Sequence, residues 1–378
     1  MPSYKNQFKG KGKEEYQKLY NNLKALSARA DDNFSCYKIL VQLLYPLKDN
    51  HLGFWQQPTE KISGEMIVDT AFIKTYRESD AFKNFPTVKN NTDSLNNVLT
   101  NKPLNDVEGI YHYSNYVTVG VYRTHKKDSL VGVVLQTNLK NWAIGQMAFI
   151  MQEYAPNHFN AIGAHLVQKN FILYKQETFA NGILFAGHWK KEPKKVNFAY
   201  DVPKEKFSLK NIEGNIQYLK LGSFSANNEN VAEAGAFCKR INDSLTGTAL
   251  IVDLRDNGGG ADKVSNQFLK LLKKFSNHKK VYVLVNHWTT SNAEQFTVRL
   301  KKLKNVTIVG ETTNGTIAYG SNYGNTNSLA CNTYEFYPTD MDSSEFLGYE
   351  SVGIVPDVLL NNESDWVAQT VAIIKLDQ

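Results

Sequence analysis

The chain has 378 residues, of which 42% are hydrophobic, and its 43 Lys and Arg residues outnumber 37 Asp and Glu residues. This composition excludes collagen-like, coiled-coil and disordered chains, and the length allows two or three packed units without disulfide staples. The net charge of +6 is small for this length, so we expect no nucleic-acid partner.

Cysteine usage and hydropathy exclude two further classes of protein. Cys36, Cys238 and Cys331 are too few and too scattered for a disulfide framework or a zinc site, and we expect three buried thiols. No apolar run reaches the roughly 18–20 residues that cross a bilayer, and the basic N-terminus lacks the apolar core of a signal peptide. We therefore expect no transmembrane segment.

Residues 1–104 are predicted to form an N-terminal helical segment. Apolar residues at helical spacing predict a pair of helices within the first 48 residues, the second ended by Pro46. A short loop, Asp49 to Trp55, follows and contains His51. The Asn-rich stretch that ends near residue 104 favours an exposed linker.

Residues 105–195 are predicted to form a small β subdomain. Short β-rich runs such as YVTVGVYRT and SLVGVVLQT are separated by polar turns, which is typical of an antiparallel unit. The charged, proline-bearing segment 190–206 favours a solvated connector over a basic docking patch.

Residues 196–378 are predicted to form an α/β core. Strands at NIQYLKLGSF, ALIVDLR, VYVLVN and VTIVG alternate with helices over 228–244, 263–275 and 291–303, and a final helix covers 364–376. The strands are short continuous apolar runs, as expected for strands covered on both faces. The chain as a whole is therefore predicted to be mixed α/β.

Two segments of this core contain candidate catalytic residues. In DLRDNGGG, Asp253 to Gly260, three glycines can point backbone N–H groups into a cavity, although the pattern alone favours a tight turn. In TTSNAEQF, Ser291 and Glu294 fit a capping box, yet a serine at a helix N-terminus can also be a nucleophile. Spacing alone does not choose a base among the eight histidines, which include His51 and His287.

Five blocks together resemble the catalytic domain of the C-terminal processing, or tail-specific, proteases. They are NIQYLKLGSF, LIVDLRDNGGG, VLVNHWTTSNAE, VTIVGETTNG and GIVPDV, within about residues 214–358. The resemblance implies a crotonase-like or ClpP-like core with Ser291 as nucleophile. Thr316 stands where tail-specific members carry a base lysine, whereas DNHLGF and YESVGIVPDV are similar to the tricorn core protease segments that supply a histidine and a glutamate.

This resemblance implies a Ser/His/Glu triad. Ser291 would attack the carbonyl carbon, His51 would be the general base, and Glu350 would orient His51. The backbone N–H groups of Asn292 and of Gly258 or Gly259 would form the oxyanion hole. The substrate would be a peptide or unfolded protein, with no metal and no organic cofactor.

Departures from the family leave other functions open. The 105–195 region shows no carboxylate-binding loop of a PDZ module, and Asn50 stands where tricorn relatives can carry a serine beside the histidine. One alternative is a weak or inactive member that binds a peptide or an apolar ligand. A nucleotide site at the glycine turn is disfavoured because no phosphate-loop lysine follows it. Since many bacterial members are exported, the resemblance implies the periplasm or cell surface if a signal peptide has been removed, and otherwise the cytoplasm.

Overall fold

A computed structural model describes residues 1–89, 91–329 and 333–377. Its helices, in chain order, are α1 (Pro2–Gln7), α2 (Lys11–Ser27), α3 (Asn33–Leu40), α4 (Thr70–Glu78), α5 (Asp80–Lys83), α6 (Thr92–Thr100), α7 (Asn228–Ile241), α8 (Asp262–Ser276), α9 (Asn292–Lys301) and α10 (Trp366–Leu376).

The strands divide into those before residue 200 and those after it. The first group is β1 (Gly53–Gln56), β2 (Gly109–Tyr113), β3 (Val117–Arg123), β4 (Ser129–Thr137), β5 (Met147–Ala155), β6 (His158–Ala164), β7 (Phe171–Ala180), β8 (Ile183–Leu184) and β9 (Trp189–Lys190). The second group is β10 (Phe207–Asn211), β11 (Ile216–Leu221), β12 (Ala249–Asp253), β13 (Lys280–Val285), β14 (Val306–Gly310), β15 (Tyr319–Gly320), β16 (Asn327–Leu329), β17 (Tyr334–Tyr337), β18 (Met341–Asp342) and β19 (Val358–Leu359).

The predicted helical pair is confirmed as α2 and α3, but the end assigned to the second helix is wrong. Helix α3 stops at Leu40 and tightens into a 3₁₀ turn, Val41–Leu43, before Pro46 is reached. Such tightening to i→i+3 hydrogen bonds is common at helix ends and needs no proline.

The predicted linker before residue 104 is also wrong, because helix α6 lies within it. The Asn91 side chain accepts hydrogen bonds from the backbone N–H groups of Asp93 and Ser94, which caps the helix. Leu99 is buried on the inner face, while most of the Asn and Thr side chains coat the outer face. The polar composition that indicated a loop belongs to a capped, mostly exposed helix.

Strands β2 to β9 form a closed antiparallel barrel. They follow the order β7-β6-β5-β4-β3-β2-β9-β8, and a further pairing of β8 with β7 closes the ring of eight strands. β1 adds to the outside of β7 and pairs along its other edge with β17, which in turn pairs with β16. Because β1 follows the His51 loop directly, its pairing with β7 of the barrel fixes where that loop ends.

Strands β10 to β14 and β19 form the second large sheet, in the order β10-β11-β12-β13-β14-β19. β10 pairs antiparallel with β11, and the other neighbours are parallel. Helices α7, α8 and α9 cover one face of this sheet and share one apolar cluster with it. Helix α10 covers the other face over a second apolar cluster. The mixed α/β class and the buried strands are therefore confirmed.

The segment 190–206 is solvated at both ends but not in its middle. Residues 192–196 are exposed, but Ala199 is fully buried, and the Phe198 N–H donates to the Asn362 carbonyl at 3.0 Å. Phe198 and Tyr200 pack against the apolar cluster beneath α10. Apolar side chains inside a charged segment thus hold its middle, residues 198–200, on the core.

Cysteine exposure departs from the prediction as well. Cys36 and Cys238 are free thiols, and both are only partly buried. Cys331 lies outside the described residues. Within the described ranges, no helix is long and apolar enough to span a bilayer.

Candidate active site

Three loops meet at the carboxyl edge of the parallel sheet. They follow β12, β13 and β14, which are adjacent strands, and they cover residues 254–261, 286–291 and 311–318. Parallel strands direct their following loops to one edge, where open α/β sheets usually bind ligands. The sequence placed DLRDNGGG and TTSNAEQF on two of these loops.

Ser291 lies at the end of the loop after β13, directly before helix α9. Its φ of 56° is in the left-handed region, which a serine adopts only when its neighbours hold it there. The Ser291 N–H donates to the Thr316 carbonyl at 2.9 Å and to Glu294 Oε2 at 3.1 Å. The hydroxyl therefore sits in a fixed position at a helix N-terminus, where negative charge is favoured.

His51 reaches this serine from the N-terminal segment. Its Nε2 lies 3.0 Å from Ser291 Oγ, although 240 positions separate the two residues in sequence. Burial lowers the pKa of His51 below 6.5, and the negative charge of Asp49 only partly opposes this shift. The imidazole is therefore neutral at neutral pH and can accept a proton from the serine hydroxyl.

Glu350 contacts the His51 loop through the backbone. One carboxylate oxygen accepts from the Asn50 N–H at 2.6 Å, and the other accepts from Ile317 and Ala318 N–H groups at 2.8 Å. Burial raises the pKa of Glu350. His51 Nδ1 is buried and has no hydrogen-bond partner within the described chain, so Glu350 holds the loop rather than the ring.

A second carboxylate and a lysine lie beside this group. Asp49 is fully buried, and its Oδ2 accepts from the Thr339 hydroxyl at 2.5 Å. Burial lowers the pKa of Lys175 to about 8, against the opposing negative charges of Glu350 and Asp49. The His51 loop thus contains one buried carboxylate, Asp49, and contacts a second, Glu350, and both interact electrostatically with the buried amine of Lys175.

Asn50 joins the His51 loop to the loops around it. Its side-chain amide donates to the Gly315 carbonyl at 2.9 Å, to Ser351 Oγ at 3.0 Å and to Gln176 Oε1. Gln176, on barrel strand β7, donates in turn to the Asn314 carbonyl at 2.6 Å. Sequence reasoning missed Gln176 and Lys175, because YKQE resembles any half-exposed strand.

The glycine turn lies against the serine. A Cβ on Gly259 would fall 2.8 Å from Ser291 Cβ, so only glycine fits there, and its φ is +82°. The Gly259 N–H already donates to Asn257 Oδ1 at 2.9 Å. The N–H groups of Gly258 and Asn292 have no such partner among the described residues, which leaves these two as donors for an oxyanion.

Glu294 does more than close a capping box. Its carboxylate accepts from Ser291 N–H and also from Thr313 Oγ1, Gly315 N–H and Thr316 N–H, at 2.6–3.1 Å. Burial raises the pKa of Glu294 to about 7. The capping pattern predicted the first contact only, whereas the structure shows Glu294 tying the nucleophile loop to the loop after β14.

The other candidates lie elsewhere. His287 Nε2 lies 3.1 Å from Thr178 Oγ1 on the barrel, and its ring centroid lies 3.9 Å from that of Phe185. No cluster of His, Cys, Asp and Glu suited to a metal ion occurs in the described ranges. A serine hydroxyl, a neutral imidazole and two unpaired backbone donors are together the parts that acyl transfer by a serine hydrolase requires.

Comparison with known families gives the general class. Residues 266–360, which include Ser291 and Glu350, match the model of peptidase family S41. This match supports a serine peptidase, with peptides or proteins as the class of substrate. A search of curated proteins finds no match.

Solved structures give weaker likenesses. A lipoprotein from Streptococcus agalactiae is 16% identical, with 45% of this chain and 69% of that chain covered and a TM-score of 0.32. The photosystem II D1 C-terminal processing protease is 14% identical over 88% of this chain and 83% of its own, with a TM-score of 0.35. The tricorn protease is 12% identical over 99% of this chain and 35% of its own, with a TM-score of 0.38. At such TM-scores these likenesses define neither the fold nor the chemistry of this chain.

Proposed function

We propose that the protein is a serine peptidase of the tricorn-core type, with Ser291, His51 and Glu350 as a triad on a crotonase-like or ClpP-like core. The observation that carries the proposal is the 3.0 Å contact between His51 Nε2 and Ser291 Oγ. The match to the S41 family model over residues 266–360 supports the proposal, because that range contains Ser291 and Glu350; His51 lies outside it.

In the proposed reaction, His51 takes the proton of Ser291 as Oγ attacks the scissile carbonyl carbon. The N–H groups of Gly258 and Asn292 stabilise the oxyanion, a contribution of about 3 kcal/mol for each donor. Protonated His51 then gives its proton to the leaving amine. Water next attacks the acyl carbon while His51 takes its proton, and His51 returns a proton to Ser291 Oγ as the acyl group leaves. Glu350 acts through the Asn50 N–H by keeping the His51 loop against the serine.

Thr316 supports a histidine rather than a lysine as the base. Its backbone carbonyl accepts from the Ser291 N–H, and its hydroxyl donates to Asn314 Oδ1 at 2.5 Å. A threonine hydroxyl does not serve as a base at neutral pH, so the only proton acceptor in contact with Ser291 Oγ in the described structure is His51.

A fluorophosphonate probe tests this proposal, because such probes label only serines that a base activates. We expect labelling at Ser291 in the wild type, none in Ser291→Ala, and strongly reduced labelling in His51→Ala. Ser265→Ala is the control and should be labelled like the wild type, since the Ser265 hydroxyl is buried and has no hydrogen-bond partner in the described structure.

Protein that has not been exposed to the probe is assayed in parallel on unfolded protein substrates, which the wild type should cleave and Ser291→Ala should not. Labelling at another serine, or none while a control serine protease reacts, contradicts the proposal. In that case the alternative of a non-catalytic family member that binds peptide or an apolar ligand is favoured.

A further inference from the structure

The barrel contains a large cavity apart from the candidate active site. Its volume is about 540 Å³, and its lining includes none of Ser291, His51 and Glu350. Six of the eight strands contribute inward side chains, among them Tyr113, Met151, Ala161, Tyr174, Leu184 and Trp189. Small-molecule sites have volumes of roughly 300–1,000 Å³, and barrels of eight strands can hold one small ligand.

Small inward residues keep this space open. Ala148, Ala161 and Gly163 line it, and the ring of Tyr174 lies across Gly163, where a Cβ would be 2.7 Å from Tyr174 Cε2. The aromatic rings therefore form the wall instead of filling the interior. The cavity is partly open to solvent, so a small molecule can enter it, and an apolar occupant would remove this lining from water.

The lining also restricts the charge of that occupant. Among the described residues that line the cavity there is no Lys or Arg. Both oxygens of Glu177 are used by the N–H groups of Thr178, Ala186 and Gly187, at 2.7–2.9 Å. Burial lowers the pKa of both His165 and His188, so neither ring is a cation at neutral pH. An anionic ligand would find no counter-ion here and would remain an unpaired buried charge.

A peptide does not fit this site well. Its backbone N–H and C=O groups need partners, and the lining is predominantly apolar and aromatic. A peptide cannot join the barrel as an extra strand between β7 and β8, because these strands pair with each other. We propose that the barrel cavity binds one uncharged, mainly apolar small molecule.

The test is a fluorescence titration of the full chain with the uncharged dye N-phenylnaphthylamine. We expect saturable binding, and displacement by hexadecanol at concentrations at least about tenfold lower than hexadecanoate, which has the same chain length but carries a charge. Met151→Trp fills the cavity and should weaken dye binding about tenfold or more. Ile150→Trp is the matched control, because the neighbouring residue points to the opposite face of β5 and does not line the cavity.

Circular dichroism and thermal melting check that each variant folds, and Ala161→Leu replaces Met151→Trp if the latter does not. Ser291→Ala should bind the dye like the wild type, which separates this site from the catalytic proposal. Any of three results overturns the inference: no saturable binding to the wild type, hexadecanoate displacing the dye as well as hexadecanol, or cavity-filling variants that bind like Ile150→Trp.

Discussion

At the scale of single residues, the contact between His51 and Ser291 is held in place by the backbone hydrogen bonds around it. The ring nitrogen and the hydroxyl are 3.0 Å apart, and the hydrogen bonds of the Ser291 N–H and of Asn50 fix the two backbones that carry them. Groups that are already in place need less reorganisation when the reaction begins, so a displacement of either backbone should reduce the rate sharply.

The acid limb of the activity profile should report on His51. Because burial lowers its pKa below 6.5, kcat/KM should rise as pH increases towards 6.5 and then level off. In Asp49→Asn the opposing negative charge is lost, so the pKa should fall further and the limb should move to lower pH. Peptidase assays between about pH 4 and 8 measure both profiles; a midpoint above 7, or a limb in Asp49→Asn that moves to higher pH, contradicts this assignment.

Glu350→Gln should lower kcat/KM about 100-fold or more. Both Glu350 oxygens accept backbone N–H groups, so the amide that replaces one oxygen would face a donor and release the His51 loop. Steady-state kinetics measure the loss. Glu345→Gln, an exposed carboxylate in the preceding turn, is the control and should behave like the wild type. Equal activity in the two variants would show that Glu350 does not position His51.

At the scale of elements, the turn after β12 and the start of α9 pack backbone against backbone. Gly259 has a positive φ, and an added Cβ would lie 2.7 Å from the Asn292 N and from the Thr290 carbonyl oxygen. Neither neighbour can move without displacing the nucleophile. Of the three consecutive glycines, Gly259 is therefore the one that this close packing requires. A Cβ added to Gly258 would meet only Thr290 Oγ1, at 4.0 Å.

Gly259→Ala should destabilise the protein by about 1–3 kcal/mol, because the residue needs a positive φ and the space beside it is occupied. Chemical denaturation measures the change in the free energy of unfolding. Gly258→Ala is the matched control for stability and should unfold within about 0.5 kcal/mol of the wild type. If the two variants are equally stable, the turn does not pack as described.

At the scale of the whole molecule, the candidate site is assembled where the barrel meets the parallel sheet. The His51 loop precedes β1, which pairs with β7 of the barrel and with β17. Gln176 on β7 bonds both Asn50 and the Asn314 carbonyl. The barrel thus contributes to the site by holding the loops that carry it.

Gln176→Ala should lower kcat/KM about tenfold while the protein keeps its fold, since the variant loses a positioning contact and not a reacting group. Gln136→Ala replaces an exposed glutamine on another barrel strand and should have no effect. Kinetics with circular dichroism test both variants. A Gln176→Ala enzyme with normal kcat/KM would show that the barrel does not support the site.

The extent to which sequence predicts this molecule depends on the range of the contacts involved. The alternation of strands and helices after residue 215 is local and was predictable, and the left-handed glycine turn is signalled by its composition. By contrast, α6 was hidden in an Asn-rich stretch, since polar residues suit both a loop and an exposed helix. The closure of the barrel through β8 and β9 depends on two-residue strands that no periodicity reveals.

The candidate site shows the same division. Motif resemblance pointed to Ser291, His51 and Glu350, but the contacts of Glu350 could not be predicted from the motifs. Glu350 accepts from the Asn50 N–H, and a hydrogen bond to a backbone N–H does not depend on the residue type, so the sequence does not indicate it. The contacts of Gln176 depend on how a barrel strand packs against loops more than 100 residues away.

The separation of 240 residues between His51 and Ser291 has a consequence for the timing of activity during synthesis. His51 leaves the ribosome early, but the serine, the loop after β14 and Glu350 emerge only as translation nears residue 350. A nascent chain that has already formed the barrel therefore lacks Ser291 and the loop after β14 that contacts it. The proposed triad can therefore assemble only after residue 350 has been synthesised.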